Sequence, residues 1–238
     1  MQESAPRVTD DPKHLGVQAA VAAALEMIPP DSIIGLGSGR ASMEFVRGLG
    51  ARVKQGFRVR GVPTSQITAD LATELGIPLT TLAQAGQLAL TVDGADEVDP
   101  NLDLIKGLGG ALVREKIVAA SSDRLIIVAG EEKWVETLGD HGVLPVEVVP
   151  FGAALCSRRL AALGCVPKPR GKNGSPFVTD NHNIILDCQI TTLAKPADLE
   201  REILAIPGVL GTGLFLKMAH TVLIYHETGV TKHERSKS

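Results

Sequence analysis

A β-strand that is apolar along its whole length must be covered on both faces, and this requirement constrains the chain more than any other feature. Ile33-Ile34-Gly35-Leu36, Leu88-Ala89-Leu90-Thr91-Val92 and Leu125-Ile126-Ile127-Val128-Ala129-Gly130 are such segments, and Val59–Val62 is a further strand with Arg60 as its one charge. Helical patterns over Ala19–Ile28, Met43–Leu49, Ile67–Leu75 and about Ala111–Ala120 separate them. This alternation predicts a parallel sheet covered by helices. Near Pro145 the order changes. A strand over Val146–Val149, a helix over Ala153–Leu163, strands around Val166 and over Ile184–Ile190, a helix over Ala197–Ala205 and a strand near Val209–Leu216 follow one another. That β-α-β-β-α-β order predicts a small ferredoxin-like domain. Thr221–Tyr225 predicts a last strand that returns to the larger sheet. The expected fold class is α/β, a Rossmann-like mostly parallel sheet covered by helices plus a smaller ferredoxin-like α+β domain. The large, discontinuous domain would span residues 1–144 and 217–238, the small one 145–216. Gly171–Pro176 reads as a hairpin loop, and the polar ends, Met1–Pro12 and Thr231–Ser238, are expected to fray.

The chemistry concentrates between Val92 and Lys116. The strand Leu88–Val92 runs into Asp93-Gly94-Ala95-Asp96, which places two carboxylates at its carboxyl end, where open α/β sheets bind ligands. Leu104-Ile105 then leads into Lys106-Gly107-Leu108-Gly109-Gly110, whose glycines let the backbone approach a ligand closely. The helix that follows offers its first amides to an anion. At 100° per residue, Glu115 falls among Ala111, Leu112, Val118 and Ala119, while Arg114 and Lys116 point away on either side. A carboxyl on an apolar face has its charged form disfavoured, which moves its pKa toward the range a general base needs. A glutamate paired with a neighbouring helix would leave the same pattern.

Three other strand ends bear on this choice. Ile33–Leu36 passes through Gly37-Ser38-Gly39-Arg40-Ala41-Ser42 into a helix, a turn able to cradle phosphate through backbone amides and the hydroxyls of Ser38 and Ser42. It lacks the Gly-Lys-Ser/Thr ending of a P-loop and does not complete G-x-G-x-x-G, so it gives nucleotide binding little support. Arg124–Gly130 is followed by Glu131-Glu132-Lys133, which brings Lys133 toward the same crevice or leaves it as a solvated charge. Val59–Val62 ends in Pro63-Thr64-Ser65, read as helix capping first and ligand contact second.

In this order, G-L-G-S-G, D-G-A-D-E, K-G-x-G-G-A and L-V-R-E-K-I resemble the type A ribose-5-phosphate isomerase family over nearly the whole chain. The resemblance implies interconversion of D-ribose 5-phosphate and D-ribulose 5-phosphate through an enediolate, in the non-oxidative pentose phosphate pathway. It implies Glu115 as proton acceptor, with Lys106 stabilising the oxyanion and Asp93 and Asp96 binding or deprotonating hydroxyls. Substrate contacts would come from Ser38, Gly39, Arg40 and Ala41, from Asp93 through Asp96 including Gly94 and Ala95, from Lys106, Gly107, Leu108 and Gly109, and from Lys133. Two departures stand out. Arg40 and Ala41 replace hydroxyl residues of the usual Gly-Ser/Thr-Gly-Ser-Thr turn, with Ser42 and the Arg40 charge as substitutes, and Leu108 interrupts a run that is usually all glycine. A homodimer or larger assembly is also implied.

No cofactor and no metal are expected. The six histidines show no i, i+4 pair and none lies beside the carboxylate block, which disfavours a metal-assisted hydride shift. Three widely spaced cysteines without C-x-x-C, and no apolar leader, fit a reduced cytoplasm. A net charge of -3, 3% aromatic residues and no long apolar run give no support for nucleic-acid or membrane partners. Two other readings use the same crevice. A coenzyme A transferase would employ Glu115 as a nucleophile, and a sugar-phosphate sensor would bind without turnover.

Overall fold

Ile126 and Val128 of one strand pack into a different apolar cluster from Leu125, Ile127 and Ala129 of the same strand, and all five are buried. Both faces of the main sheet are therefore covered, as apolar strands demand. The computed structural model describes residues 12–172 and 175–236. The first half of the chain runs α1 (Pro12–Glu26), β1 (Ser32–Leu36), α2 (Arg40–Lys54), β2 (Val59–Pro63), α3 (Gln66–Glu74), α4 (Leu82–Ala85), β3 (Leu90–Asp93), β4 (Glu97–Val98), β5 (Leu104–Ile105), α5 (Leu112–Ala120) and β6 (Leu125–Gly130). It continues through β7 (Val143–Val148), α6 (Ala153–Ala162), β8 (Val166–Pro169), β9 (Gly171–Lys172), β10 (Ser175–Pro176), β11 (Ile184–Gln189), α7 (Pro196–Leu204), β12 (Val209–Thr212), β13 (Leu214–Phe215), β14 (Ala219–His226) and β15 (Gly229–Glu234).

The main sheet has the order β15-β14-β6-β3-β1-β2, with every pair parallel except the β14–β15 edge. The chain leaves β1 toward β2 on one side and later places β3 on the other, so the carboxyl ends of β1 and β3 flank the point where the winding reverses. Such a point is where an open α/β sheet forms a ligand crevice. Phe45, Val46 and Leu49 of α2 fill the space over Ile34 and Leu36, each side chain contributing on the order of 1.5–3 kcal/mol by burial.

A second sheet, β12-β7-β11-β8, is antiparallel throughout and carries α6 and α7, which gives the expected small domain its ferredoxin-like strand order. Its core is built from Leu144, Val146, Val148, Cys156, Leu160, Leu186 and Ile203. The fold is thus α/β with a smaller antiparallel-sheet domain. A third, three-stranded sheet, β13-β5-β4, gives Ile105 and Leu214 to the small-domain core and Val98, Leu104 and Phe215 to the core under the main sheet, and Lys106 leaves from the end of β5.

Two expectations about the chain ends fare differently. Residues 1–11, within the segment expected to fray, lie outside the described residues. At the other end, Thr231–Glu234 does not fray, because residues 229–234 pair with Thr221–His226 as β15. Its polar side chains suit an edge strand, where backbone pairing rather than burial holds the chain. Arg235 fastens its end, donating to the carbonyls of Ala219 and Leu102 and to the Asp103 carboxylate. A chain ended at Thr228 bares the long edge of β14, so it is expected to unfold at lower denaturant and to self-associate. An unchanged denaturation midpoint would contradict the role given to β15.

Candidate active site

Asp93, the last residue of β3, ties the crevice together. Its Oδ1 accepts from the Ser38 amide at 3.1 Å, the Ser42 hydroxyl at 3.0 Å and the Gly94 amide at 2.8 Å, and its Oδ2 lies 3.1 Å from Lys106 Nζ. These contacts require the β1 turn to approach closely: a Cβ on Gly37 would lie 2.2 Å from Asp93 Oδ1. Glycine at this position is a packing necessity.

The next residues form one wall. Gly39, with φ 94°, turns the chain into α2, whose first residues Arg40 and Ala41 line the crevice beside Ser38. The first turn of a fifteen-residue helix presents unpaired amides and the positive end of its dipole, a suitable seat for a phosphate. The Ser38 hydroxyl sits in a cluster with those of Thr64 (2.8 Å), Ser65 (2.7 Å) and Thr68 (3.2 Å). Ser65 also caps α3 by accepting from the Thr68 amide, which is the capping role its position suggested.

Opposite stands the proton-transfer group. Glu115 lies in the first turn of α5 and is 4% exposed. Burial, then the Asp93 charge, push its pKa up to about 8, while Lys106 opposes the rise. Its Oε2 makes an ion-pair contact with Lys106 Nζ at 3.3 Å and meets no other donor among the described residues. A buried carboxylate whose one cationic neighbour is shared with a second carboxylate is costly unless it is protonated or meets a substrate. Lys106 is itself 3% exposed and donates to the Gly94 carbonyl at 2.5 Å. Burial favours its neutral form, yet the charges of Asp93, Glu115 and Asp96 outweigh that, so its pKa is raised and the ammonium persists. With a folded pKa above the ordinary 4.5, Glu115 favours the folded state most below that value, and this contribution is lost as pH rises through about 8.

The flanking cations explain the R-E-K triplet. Arg114 donates to the Asn181 side chain at 2.8 Å and to the Asp180 carbonyl at 2.6 Å, while Lys116 reaches Glu200 at 2.9 Å and the Leu214 carbonyl at 2.6 Å. Both partners of Arg114, and Glu200, belong to the 145–216 segment. The helix is thus held by its outer charges while its inner one faces the crevice.

The crevice holds about 120 Å3 and is lined by Ser38, Gly39, Arg40, Ala41, Gly94, Ala95, Asp96, Lys106, Gly107, Gly109, Glu115 and Lys133, all anticipated from sequence. Three anticipated residues are not on this wall. Asp93 and Ser42 are each 1% exposed and bonded to one another beneath it, and the Leu108 side chain, 50% exposed, points to solvent. Val128, Ala129, Gly130, Glu132 and Tyr225 also line the space. The β6 residues and Glu132 carry the same strand-end signal that marked Lys133. Tyr225 enters through the pairing of β14 with β6, for which no local signal exists. Among the described residues no three His, Cys, Asp or Glu side chains group so as to hold a metal ion.

A sequence model of ribose 5-phosphate isomerase A (phosphoriboisomerase A) matches residues 60–229. The chain belongs to this family. A family member from Roseiflexus castenholzii is 52% identical over 224 residues, covering 93% of this chain and 96% of that one. One from Gloeobacter violaceus is 49% identical over 90% of this chain and 93% of its own. Among solved structures, the ribose 5-phosphate isomerase from Plasmodium falciparum superposes with a TM-score of 0.89 at 35% identity, covering 94% of this chain and all of that one. A D-ribose-5-phosphate isomerase in complex with phospho-erythronic acid gives the same TM-score at 37% identity over 93% of this chain and 98% of its own.

Asp93 anchors the turn and pairs with a buried lysine that Glu115 can still neutralise, so Asp93→Asn is expected to cost about 1–3 kcal/mol of stability. Chemical denaturation measures this, and a loss below about 1 kcal/mol would show that the carboxylate is not the anchor described.

Proposed function

We propose that this family member interconverts D-ribose 5-phosphate and D-ribulose 5-phosphate through an enediolate, with Glu115 moving the proton. The observation that carries the reading is a buried carboxyl 3.3 Å from a buried ammonium, with no other donor among the described residues, in a cavity walled by a helix N-terminus. With the sugar open, Glu115 takes the C2 proton, and the electron pair left behind forms the C1–C2 double bond while negative charge gathers on the former aldehyde oxygen. Lys106 faces that charge with a cation that needs no reorganisation. A proton passes from the C2 hydroxyl to O1, and Glu115 returns its own to C1, leaving a ketone at C2. Base, acid and product balance without any other reactant.

The remaining wall divides the labour. The first turn of α2, with Arg40, and Lys133 hold the phosphate, and that remote binding positions the reacting carbons. Asp96, on the cavity wall, is the aspartate suited to accept a sugar hydroxyl and assist ring opening. Asp93 acts through Lys106 and the Ser38 turn instead of touching substrate. That a relative is described with phospho-erythronic acid, a sugar-acid phosphate, agrees with a cavity that takes an anionic tail and an anionic head together.

The catalytic unit in this reading comprises residues 1–144 and 217–238, with 145–216 as the supporting domain. The unpaired Cys156, Cys165 and Cys188 suit a reducing cytoplasm. A fully exposed Phe151, with Val149 and Leu210 also exposed, suits assembly into a homodimer or larger form.

Glu115→Gln keeps the shape and removes the base, so turnover of ribose 5-phosphate is expected to fall by about 10²-fold or more with substrate binding retained. Near-normal turnover would remove Glu115 from the mechanism. In D2O the unaltered protein should place solvent deuterium on C1 of the ketose, because the carried proton exchanges on the carboxyl. Complete retention of the sugar's own hydrogen would contradict exchange of the carried proton on the carboxyl.

A further inference from the structure

The turn after Lys106 is gripped from the small domain. Arg170 donates from Nη1 to the Gly107 carbonyl at 2.8 Å and to the Leu108 carbonyl at 3.1 Å. Its other nitrogens are held by Asp187, Nε to Oδ2 at 2.9 Å and Nη2 to Oδ1 at 2.5 Å. The guanidinium side chain is 15% exposed and is not part of the cavity wall. Its planar fork suits this task, since one edge binds the carboxylate bidentately while a remaining N–H group is aimed elsewhere.

A planar trans peptide points its N–H away from its C=O. The Gly107 carbonyl faces Arg170, and the Leu108 amide of the same peptide donates the opposite way, to Asp96 Oδ2 at 2.9 Å. Asp96 is on the cavity wall, so the side away from Arg170 is the cavity side. The Leu108 carbonyl also faces Arg170, which turns the Gly109 amide toward the cavity, and this amide has no acceptor among the described residues. The turn is closed by the Gly110 amide on the Gly107 carbonyl at 3.0 Å. Its positive-φ positions are Gly107 (110°) and Gly110 (88°), not Leu108, which explains why a leucine is accepted there. Phe177, whose amide donates to the Arg170 carbonyl at 2.8 Å, covers Gly110 so closely that a Cβ there would lie 2.4 Å from its ring.

We infer that Arg170, locked by Asp187, is a positioning residue for the isomerisation: by holding two carbonyls of the Lys106–Gly110 turn, it aims the Gly109 amide at the developing oxyanion. This rests on the proposed function of the same cavity. Lys106 stabilises the oxyanion by charge and Gly109 by a directed hydrogen bond, and only the second depends on Arg170.

The test compares the unaltered protein with Arg170→Ala and Arg170→Lys. Loss of an aimed donor lowers kcat by about 10- to 100-fold, somewhat less than deleting such a donor outright, and leaves KM within about threefold. Affinity for phospho-erythronic acid should fall in parallel with kcat, while inhibition by inorganic phosphate stays unchanged. Low, non-denaturing guanidinium should restore part of the turnover of Arg170→Ala. Lysine keeps the charge but cannot hold Asp187 bidentately and both carbonyls, so Arg170→Lys is expected between the two, and it supplies the kinetics if Arg170→Ala does not fold. An active unaltered protein with Arg170→Ala, or with Arg170→Lys where the alanine variant does not fold, within about twofold of its kcat overturns this inference alone, as does an equal loss of affinity for the sugar acid and for phosphate. An unaltered protein that leaves ribose 5-phosphate unconverted overturns the proposed function, and this inference with it.

Discussion

One buried ammonium faces two buried carboxylates, and the rest of the site follows from that imbalance. Lys106 neutralises one negative charge fully, and Asp93 is its nearer partner, at 3.1 Å against 3.3 Å for Glu115. The second carboxylate is left under-compensated in a region of low dielectric, where an uncompensated charge is expensive. Taking up a proton relieves it. A carboxyl whose pKa lies close to the working pH is partly ionised and able to take the C2 proton, and once protonated it is a ready donor to C1, which is the property a proton shuttle needs. The same arrangement keeps the lysine charged, since the anions outweigh its burial. One geometric fact thus tunes an acid–base group and fixes an electrophile.

This imbalance has to be held in place, and the fold does so from two directions. The main sheet supplies Asp93 at the end of β3 and brings the β1 turn against it, which only the missing side chain of Gly37 permits. The small domain supplies the counterweights. Arg114 and Lys116 anchor α5 outward, and Arg170 reaches the Lys106 turn from beside β8. Each of these contacts is polar and spans a long sequence separation, so none adds much apolar burial. Their value lies in orientation, the part of catalysis that an Ångström of drift would erode.

The degree to which the sequence disclosed this differs by kind of information. Strands β1, β3 and β6 were legible because full burial demands apolar runs, and the inward face of Glu115 followed from helical periodicity alone. The turn G-S-G-R-A, the motifs D-G-A-D-E and K-G-L-G-G-A with R-E-K, and the lysine after β6 point to the other anticipated wall residues. What stayed hidden depends on through-space neighbours. Asp93 looked like a ligand because it ends a strand at the crevice, but its oxygens are saturated by the β1 turn, α2 and Lys106. Ser42 looked like a phosphate contact, but the third residue of α2 turns toward β3. The polar tail read as frayed, since an edge strand is held by backbone bonds that leave no hydropathy pattern. Tyr225 and Arg170 reach the site through sheet pairing and domain docking, which no local pattern encodes.

The proposed chemistry depends on the protonation state of one side chain. Titration of Glu115 in the folded protein, followed by the carbon-13 resonance of its labelled carboxyl and assigned with Glu115→Gln, reads that state directly. The account predicts a midpoint near 8, produced first by burial and then by Asp93. A midpoint near 4.5, the ordinary value of a solvated glutamate, would mean that the buried charges are balanced in some other way and that the proton carrier lies elsewhere.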